Sequence, residues 1–429
     1  MRLISENFRT PVYLLAGGTV RVSRRNAMSS FPNKHETRDM EHATRRGGSV
    51  NPMHHTHALV MDTGARTLKG GFAFEDAPSA VIASVVGKVK VDLPEFMAQH
   101  TATLTPNGVF VGPDAQSHRG FLSIKSPLDC GDVRNWDDLE SMWEYMLKRE
   151  LQVEPQDHAV FLTDAIAKTS ANMARMTQIM FESVGTAALH INKHDVLPLY
   201  ATGRTTGCVL ECGESATRLT AVHDGYALPE CAAQSSVAGA LVTAHLTLLL
   251  RDHRGKMSSE AYRDVVRSIK EHHTRVSICD EVTTDDDETY ELPDGTTIHL
   301  DARVRRAPDV LFAPATMGRP FAHLMGIHEM THRAISQCAN RPMRRQLLNN
   351  IVLSGGTSMH RNLRERLTTE LSRLEPSMQI NVVASDTRQF GAWIGGSILA
   401  SLSVFDQHWI TKAQYDEMGP YAVHAGRAY

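Results

Sequence analysis

Long apolar runs, paired cysteines and an excess of one charge are all missing from this 429-residue chain. No apolar stretch approaches the ~18 to 20 residues that span a bilayer. The most apolar one, Ala240 to Leu250, is broken by Thr243, His245 and Thr247, and it reads as a buried helix. The six cysteines (Cys130, Cys208, Cys212, Cys231, Cys279, Cys338) are dispersed without a CxxC pair. That argues against a zinc site or a disulfide framework and suits structural thiols in a reducing compartment. Lys and Arg total 45 against 48 Asp and Glu, so no overall field gathers nucleic acid, which is not expected as a primary partner.

What is present is the composition of a globular protein, 42% hydrophobic and 22% charged, on a chain long enough for two to four domains. Residues 1–56 differ from the rest. They hold nine Arg or Lys against four Asp or Glu with little apolar periodicity, and they read as a flexible basic extension. An Arg-rich start also suits an organelle-targeting peptide, but Glu6, Glu36, Asp39 and Glu41 weaken that reading. His54, His55 and His57 in the same segment are too weak a signal for a metal site.

From residue 57 the pattern is regular. Ala58 to Met61 is apolar and runs into Asp62-Thr63-Gly64, with Lys69, Gly70, Gly71 and a second apolar stretch following, so a strand, a tight turn and a returning strand are expected. A comparable unit recurs 149 residues later, where Gly207 to Leu210 leads into Glu211-Cys212-Gly213-Glu214 and returns through Arg218 to Val222. Two acid-x-Gly hairpins half a chain apart suggest a duplicated architecture whose halves face one cleft.

Glycine pairs sharpen this. Asn350 to Leu353 is β-like and enters Ser354-Gly355-Gly356-Thr357, after which Leu363, Leu367, Leu371 and Leu374 mark a helix face. A strand passing through glycines into a helix start leaves backbone N–H groups suited to a phosphate. Gly395-Gly396 opens an apolar run and reads as close helix packing. Asn135-Trp136-Asp137-Asp138 reads as the cap of a helix over Leu139 to Leu151. Asp280 to Glu288, with six acids in nine positions, reads as a solvated loop.

Several strings resemble actin and the actin-related proteins. They include Gly71-Phe72-Ala73, Asn135-Trp136-Asp137-Asp138, Met176 to Glu182, Gly203-Arg204-Thr205-Thr206-Gly207, Gly225 to Pro229, Leu292 to Gly295, Leu353 to Thr357 and Trp393 to Leu402. They occur in the family's order from about residue 58 onward. The resemblance implies an α/β, actin-like ATPase fold: two duplicated α/β lobes, each with a smaller subdomain, around a nucleotide cleft. By that likeness, residues 57–83, 127–201 and 391–429 form the first subdomain and 84–126 the second. Residues 202–237 with 324–390 form the third, and 238–323 the fourth.

The resemblance also implies ATP or ADP with Mg²⁺ in the cleft. The positions it places at the nucleotide are Asp62, Thr63, Gly64, Arg66, Lys69, Gly213, Glu214, Gly239, Lys270, Glu271, Gly355, Gly356, Thr357 and Met359, with Asp62 and Glu211 holding Mg²⁺ through water. Departures from the family are concentrated here. Ala65 stands where a serine hydroxyl meets the terminal phosphate, forfeiting a hydrogen bond of about 0.5 to 1.5 kcal/mol. Arg66 replaces a glycine, and its side chain either blocks the phosphates or adds a contact to them. Glu211 and Glu214 replace aspartates, each one methylene longer. The family's water-positioning glutamine becomes His194 and its histidine Arg218; losing such positioning costs on the order of 10²- to 10⁴-fold in hydrolysis. His360 stands for a tyrosine and Gln389 for a lysine. His194 is the candidate base in principle, but it reads as a substituted, inactive position.

The loop between Gly87 and Val111 is longer than the family's, with Phe96-Met97 as an apolar tip, so filament contacts like those of conventional actin are doubtful. The resulting expectation is a divergent actin-like cytoskeletal protein in the cytoplasm, binding ATP with weak or no hydrolysis. Its partners would be other protein subunits, including actin or further copies of itself, and no membrane span is expected. The alternative is a non-polymerising subunit of a nuclear or motor-associated complex. A small-molecule kinase on the same fold lacks an evident acceptor-site base.

Overall fold

A computed structural model of the protein describes residues 20–21, 58–90, 108–129, 131–163, 169–255, 257–278, 288–292 and 295–425. Apart from a two-residue strand at Val20–Arg21, the basic extension with its three histidines lies outside these. So do the Phe96-Met97 tip, residues 280–287 of the acidic loop, Cys130 and Cys279.

Four wholly buried strands set the architecture. Leu59–Thr63, Ala159–Thr163, Gly207–Cys212 and Ile351–Ser354 are buried at every position. Strands without a solvent face belong in the middle of sheets covered on both sides by helices. Leu59–Thr63 pairs antiparallel with Thr67–Phe72 and parallel with Ala159–Thr163, and the sheet continues to Ala80–Ala83 on one side and Ala188–Asn192 on the other. In the second lobe Gly207–Cys212 pairs antiparallel with Thr217–His223 and parallel with Ile351–Ser354. That sheet continues to Tyr226–Ser235 and to Val382–Val383. The five core strands therefore follow one order in both sheets, two antiparallel neighbours on one flank and two parallel neighbours on the other. The duplication expected from the two acid-x-Gly hairpins is present as topology.

Each lobe carries a smaller annex. Val86–Val89 lies between Val109–Val111 and Leu122–Lys125 in the first lobe. In the second, helices Gly239–Leu249 and Ser259–His272 accompany the hairpin of Glu288–Glu291 with Thr297–Leu300.

Helix boundaries largely obey their caps. The Asn135 side chain accepts from the N–H groups of Asp137 and Asp138, starting the helix Trp136–Tyr145. Two expectations need correction. Helix Gly239–Leu249 is not buried all round: Leu241, Val242 and Leu246 face the core while Leu248 is 55% exposed, because one side of this annex helix meets solvent. Helix Leu363–Leu374 buries Leu363, Leu367 and Leu371, but Leu374, its last residue, lies 42% exposed beyond the end of the core it packs on.

The chain crosses between lobes twice, and both crossings are helical. Leu197–Ala201 leads from Ala188–Asn192 toward Gly207–Cys212, and Gly391–Ala400 follows the second lobe's edge strand Val382–Val383. Leu197 packs with Val60, Phe161 and Trp393, whereas Leu199 packs with Val209, Val222 and Val352. One short helix thereby fills both sheets' inner faces. Trp393 Nε1 donates to the Val60 carbonyl at 2.9 Å, fixing the second crossing on the first sheet. Gly395 touches the backbone of Leu197, which confirms the close-packing role expected of the glycine pair.

Candidate functional site

Both hairpins end at the interlobe cleft, and their acids are buried there. Asp62 is fully buried and accepts from Lys69 Nζ on Oδ2 and from Thr163 Oγ1 at 2.8 Å on Oδ1. His194, 7% exposed, lies between the hairpins. Its Nε2 is 3.3 Å from Asp62 Oδ1 and its Nδ1 is 3.1 Å from Glu211 Oε2. Arg218 Nη1 stands 3.7 Å from the same Glu211 oxygen.

This charge arrangement decides the protonation states. Burial pushes the Asp62 pKa up, but the Lys69 ammonium and His194 outweigh it and hold the carboxyl well below its ordinary range. Burial likewise raises Glu211, and His194 followed by Arg218 reverses the sign. For His194, burial favours the neutral ring, yet Glu211 and Asp62 override it and hold its pKa well above that of an ordinary histidine.

Several of the other residues expected at the site are engaged with one another or with their own lobe. Thr63 turns its hydroxyl inward, where it accepts from Trp143 Nε1 at 3.0 Å. The Gly64 carbonyl accepts from Ser84 Oγ at 2.7 Å and its N–H closes the turn onto Thr67. Glu214 accepts from Lys270 Nζ at 2.9 Å, and the same ammonium donates to Thr243 Oγ1 at 2.9 Å, so the longer acid has been drawn onto the wall of its own lobe. Gly213 accepts from the Gly239 N–H and, at 2.7 Å, from Thr357 Oγ1. Gly239 has no room for a side chain: a Cβ would sit 2.5 Å from Thr357 Oγ1 and 2.6 Å from Glu214 Oε2.

Gly355 adopts φ +87° against the Cys212 backbone, and Gly356 faces open space. The strand does not run directly into the long helix. Gly356–Met359 is a 3₁₀ turn and the helix begins only at Leu363, while the Gly355 N–H donates to the Arg388 carbonyl. The glycines therefore stand at the start of the 3₁₀ turn rather than of the long helix.

Arg66 is half-buried, facing the opposite wall. Burial and the Arg267 guanidinium lower its pKa, against Glu271, Glu214 and Asp264, which hold the charge in place. Of the two roles its sequence position left open, the arrangement here is a guanidinium set against carboxylates of the other lobe. Further out, Arg119 of the first lobe's annex forms an ion pair with Asp264 across the mouth. A cavity of about 420 Å³ lies there, lined in part by Arg119, Asp264, Tyr290 and Leu292 rather than by Asp62 and Glu211.

Thr163, Thr243, Arg119 and Asp264 were not singled out from the sequence. Thr163 alone carried a signal there, as the polar end of an otherwise apolar strand. The described cysteines, Cys208, Cys212, Cys231 and Cys338, are buried free thiols, and burial pushes Cys212 up to about 12, as befits structural residues.

His360 gives a pH signature. Burial and the Lys270 ammonium push its pKa down to about 3, and Thr274 Oγ1 lies 3.3 Å from its Nδ1. The unfolded chain takes up this proton near pH 6.5, so stability is lost as pH falls from there toward 3, and nothing is lost above 6.5. Replacing His360 with Gln is expected to flatten the urea-midpoint profile between pH 6.5 and 5. Parallel profiles for the two proteins would refute the assignment.

Two sheets of one strand order, each presenting an acidic hairpin to a shared cleft, define a class: duplicated two-lobed α/β proteins. Residues 53–428 match the Actin family, and the chain belongs to it. Among the described residues no helix is long and apolar enough to cross a membrane.

Proposed function

We propose that this actin-family protein works as a cytoskeletal component through its surfaces, and that its cleft binds nucleotide without turning it over. The observation carrying this reading is His194. It stands where the resemblance puts the residue that orients the attacking water, and both its ring nitrogens lie within 3.3 Å of a carboxylate oxygen, surroundings that favour the protonated ring over the neutral one a base requires. Ala65 supplies no hydroxyl beside it.

Exposed apolar side chains support work through contacts. Ile398, Leu402 and Val404 flank Ser401, whose Oγ accepts from the N–H of the 65%-exposed Phe74. Partners of this kind are protein subunits, either actin-like or further copies of this chain.

The test is phosphate release from Mg-ATP by the full chain, with sedimentation in parallel. No release above the protein-free control is expected, and sustained turnover would end the silent-cleft reading. Pelleting with Mg-ATP assigns the protein to filaments, whereas persistence in the supernatant assigns it to a non-polymerising complex.

A further inference from the structure

Three stretches of chain that are distant in sequence meet beside the Gly356–Met359 turn, and each brings arginine to the meeting point. The first leaves helix Ser259–His272 and carries Arg275; the second is the short helix Ala302–Arg305 with Arg306 after it; the third follows the turn and carries Arg361. Their backbones are in direct contact. The Arg275 N–H donates to the Arg305 carbonyl at 2.8 Å, the Val276 N–H donates to the Arg361 carbonyl at 3.0 Å, and Arg275 and Arg361 form a parallel bridge. Main-chain hydrogen bonds thereby root all three stretches at one place.

The positive charge there has depth. Arg305 is 8% exposed, Arg275 and Arg306 are half-buried, and Arg361 is exposed, so the guanidiniums run from the surface inward. Burial, and then the Arg305 and Arg306 guanidiniums, lower the pKa of Arg275 against the pull of Glu288, which marks groups close enough to repel one another. Glu288 stands among them, with Oε2 3.3 Å from Arg305 Nε and Oε1 2.5 Å from His273 Nδ1. Holding like charges in one small volume costs repulsion, which an anion entering among them relieves. Guanidinium forks match phosphate oxygens in pairs. Convergence about one point, rather than along a groove, suits several phosphates on a small scaffold better than an extended acidic chain.

We propose that Arg275, Arg305, Arg306 and Arg361 form a binding site for a compact ligand carrying several phosphates, either a soluble polyphosphate or a lipid headgroup. None of the four is among the positions expected at the nucleotide, and the site stands whether or not the cleft turns over ATP.

The probe is myo-inositol hexakisphosphate, titrated calorimetrically into the full chain without divalent cations at about 150 mM salt, where scattered surface charges are screened. One saturable site with a Kd on the order of 1 μM is expected, and inorganic phosphate is expected to bind at least about 100-fold more weakly. Arg275→Gln and Arg361→Gln are each expected to weaken binding about tenfold or more, the worth of a charge-assisted contact. Arg303→Gln lies on the same short helix, but its side chain is 81% exposed and paired with Asp301, and it is expected to change binding less than about twofold. Sedimentation with phosphatidylcholine vesicles containing phosphatidylinositol bisphosphate separates the two sources. Pelleting that the soluble probe reverses assigns a headgroup, whereas a protein that stays in the supernatant yet binds the probe assigns a soluble ligand. Absence of saturable binding, equal weakening by Arg303→Gln, or tighter binding of an oligoglutamate peptide would overturn the proposal. Arg361→Gln alters an exposed side chain, so that variant decides should Arg275→Gln fail to fold.

Discussion

A His194→Ala protein is expected to unfold about 3 kcal/mol more easily than the unaltered chain at neutral pH, because it leaves two buried carboxylates without the cation between them. Lys69 and Thr163 still hold Asp62, so the loss falls mainly on Glu211, whose other cation, Arg218, is 3.7 Å away. The source of the loss is charge rather than volume, which makes a second variant informative. Removing the anion too, as His194→Ala with Glu211→Gln, is expected to recover about 1 kcal/mol or more in a double-mutant cycle of urea midpoints. A double variant less stable than His194→Ala alone would show that packing, not electrostatics, makes this ring important. The sign with pH is set by the raised pKa of His194. Its contribution is complete below about pH 6.5, where the unfolded ring is charged as well, and is lost as pH rises through the folded pKa.

The second large effect concerns neighbouring glycines. A Cβ on Gly395 would lie 2.0 Å from the Leu197 carbonyl oxygen and 2.6 Å from its carbon, both backbone atoms that no rotamer change can move. A Cβ on Gly396 would meet Phe161 Cε1 at 3.0 Å and Val60 Cγ1 at 3.1 Å, and side chains give way by tenths of an ångström. Gly395→Ala is therefore expected to cost about 3 kcal/mol or more and Gly396→Ala about 1 kcal/mol, since overpacking is expensive in proportion to what must shift. Thermal unfolding of the two variants side by side checks this. Equal losses would mean that the helix pair is looser than its geometry implies.

Much of the fold was legible because it is written in short-range chemistry. The acid-x-Gly turns, the largely apolar four- to six-residue strands and the Asn135 cap each fix a local structure through nearby atoms. The common strand order was not legible, since Gly207–Cys212 meets Ile351–Ser354 only after a separation that local preference cannot encode. The site divides the same way. Lys69 beside Asp62 follows from a hairpin register that sets the two opposite one another. The capture of Glu214 by Lys270 depends on one added methylene reaching a helix 56 residues onward, and the Arg119 to Asp264 pair depends on how two annexes meet. His194 was visible only through resemblance, as a residue out of place. Its partners became apparent once both hairpins were in position.

The two helical crossings have a mechanical consequence. Since both pass through the same helix pair, and Gly395 seats one on the other at backbone distance, the lobes share a single spindle. Sliding of one lobe along the other would have to unseat that joint, whereas swinging about it disturbs only the ion pairs farther out. A partner protein gripping the outer edges would gain leverage over the buried ring of His194 without ever touching it.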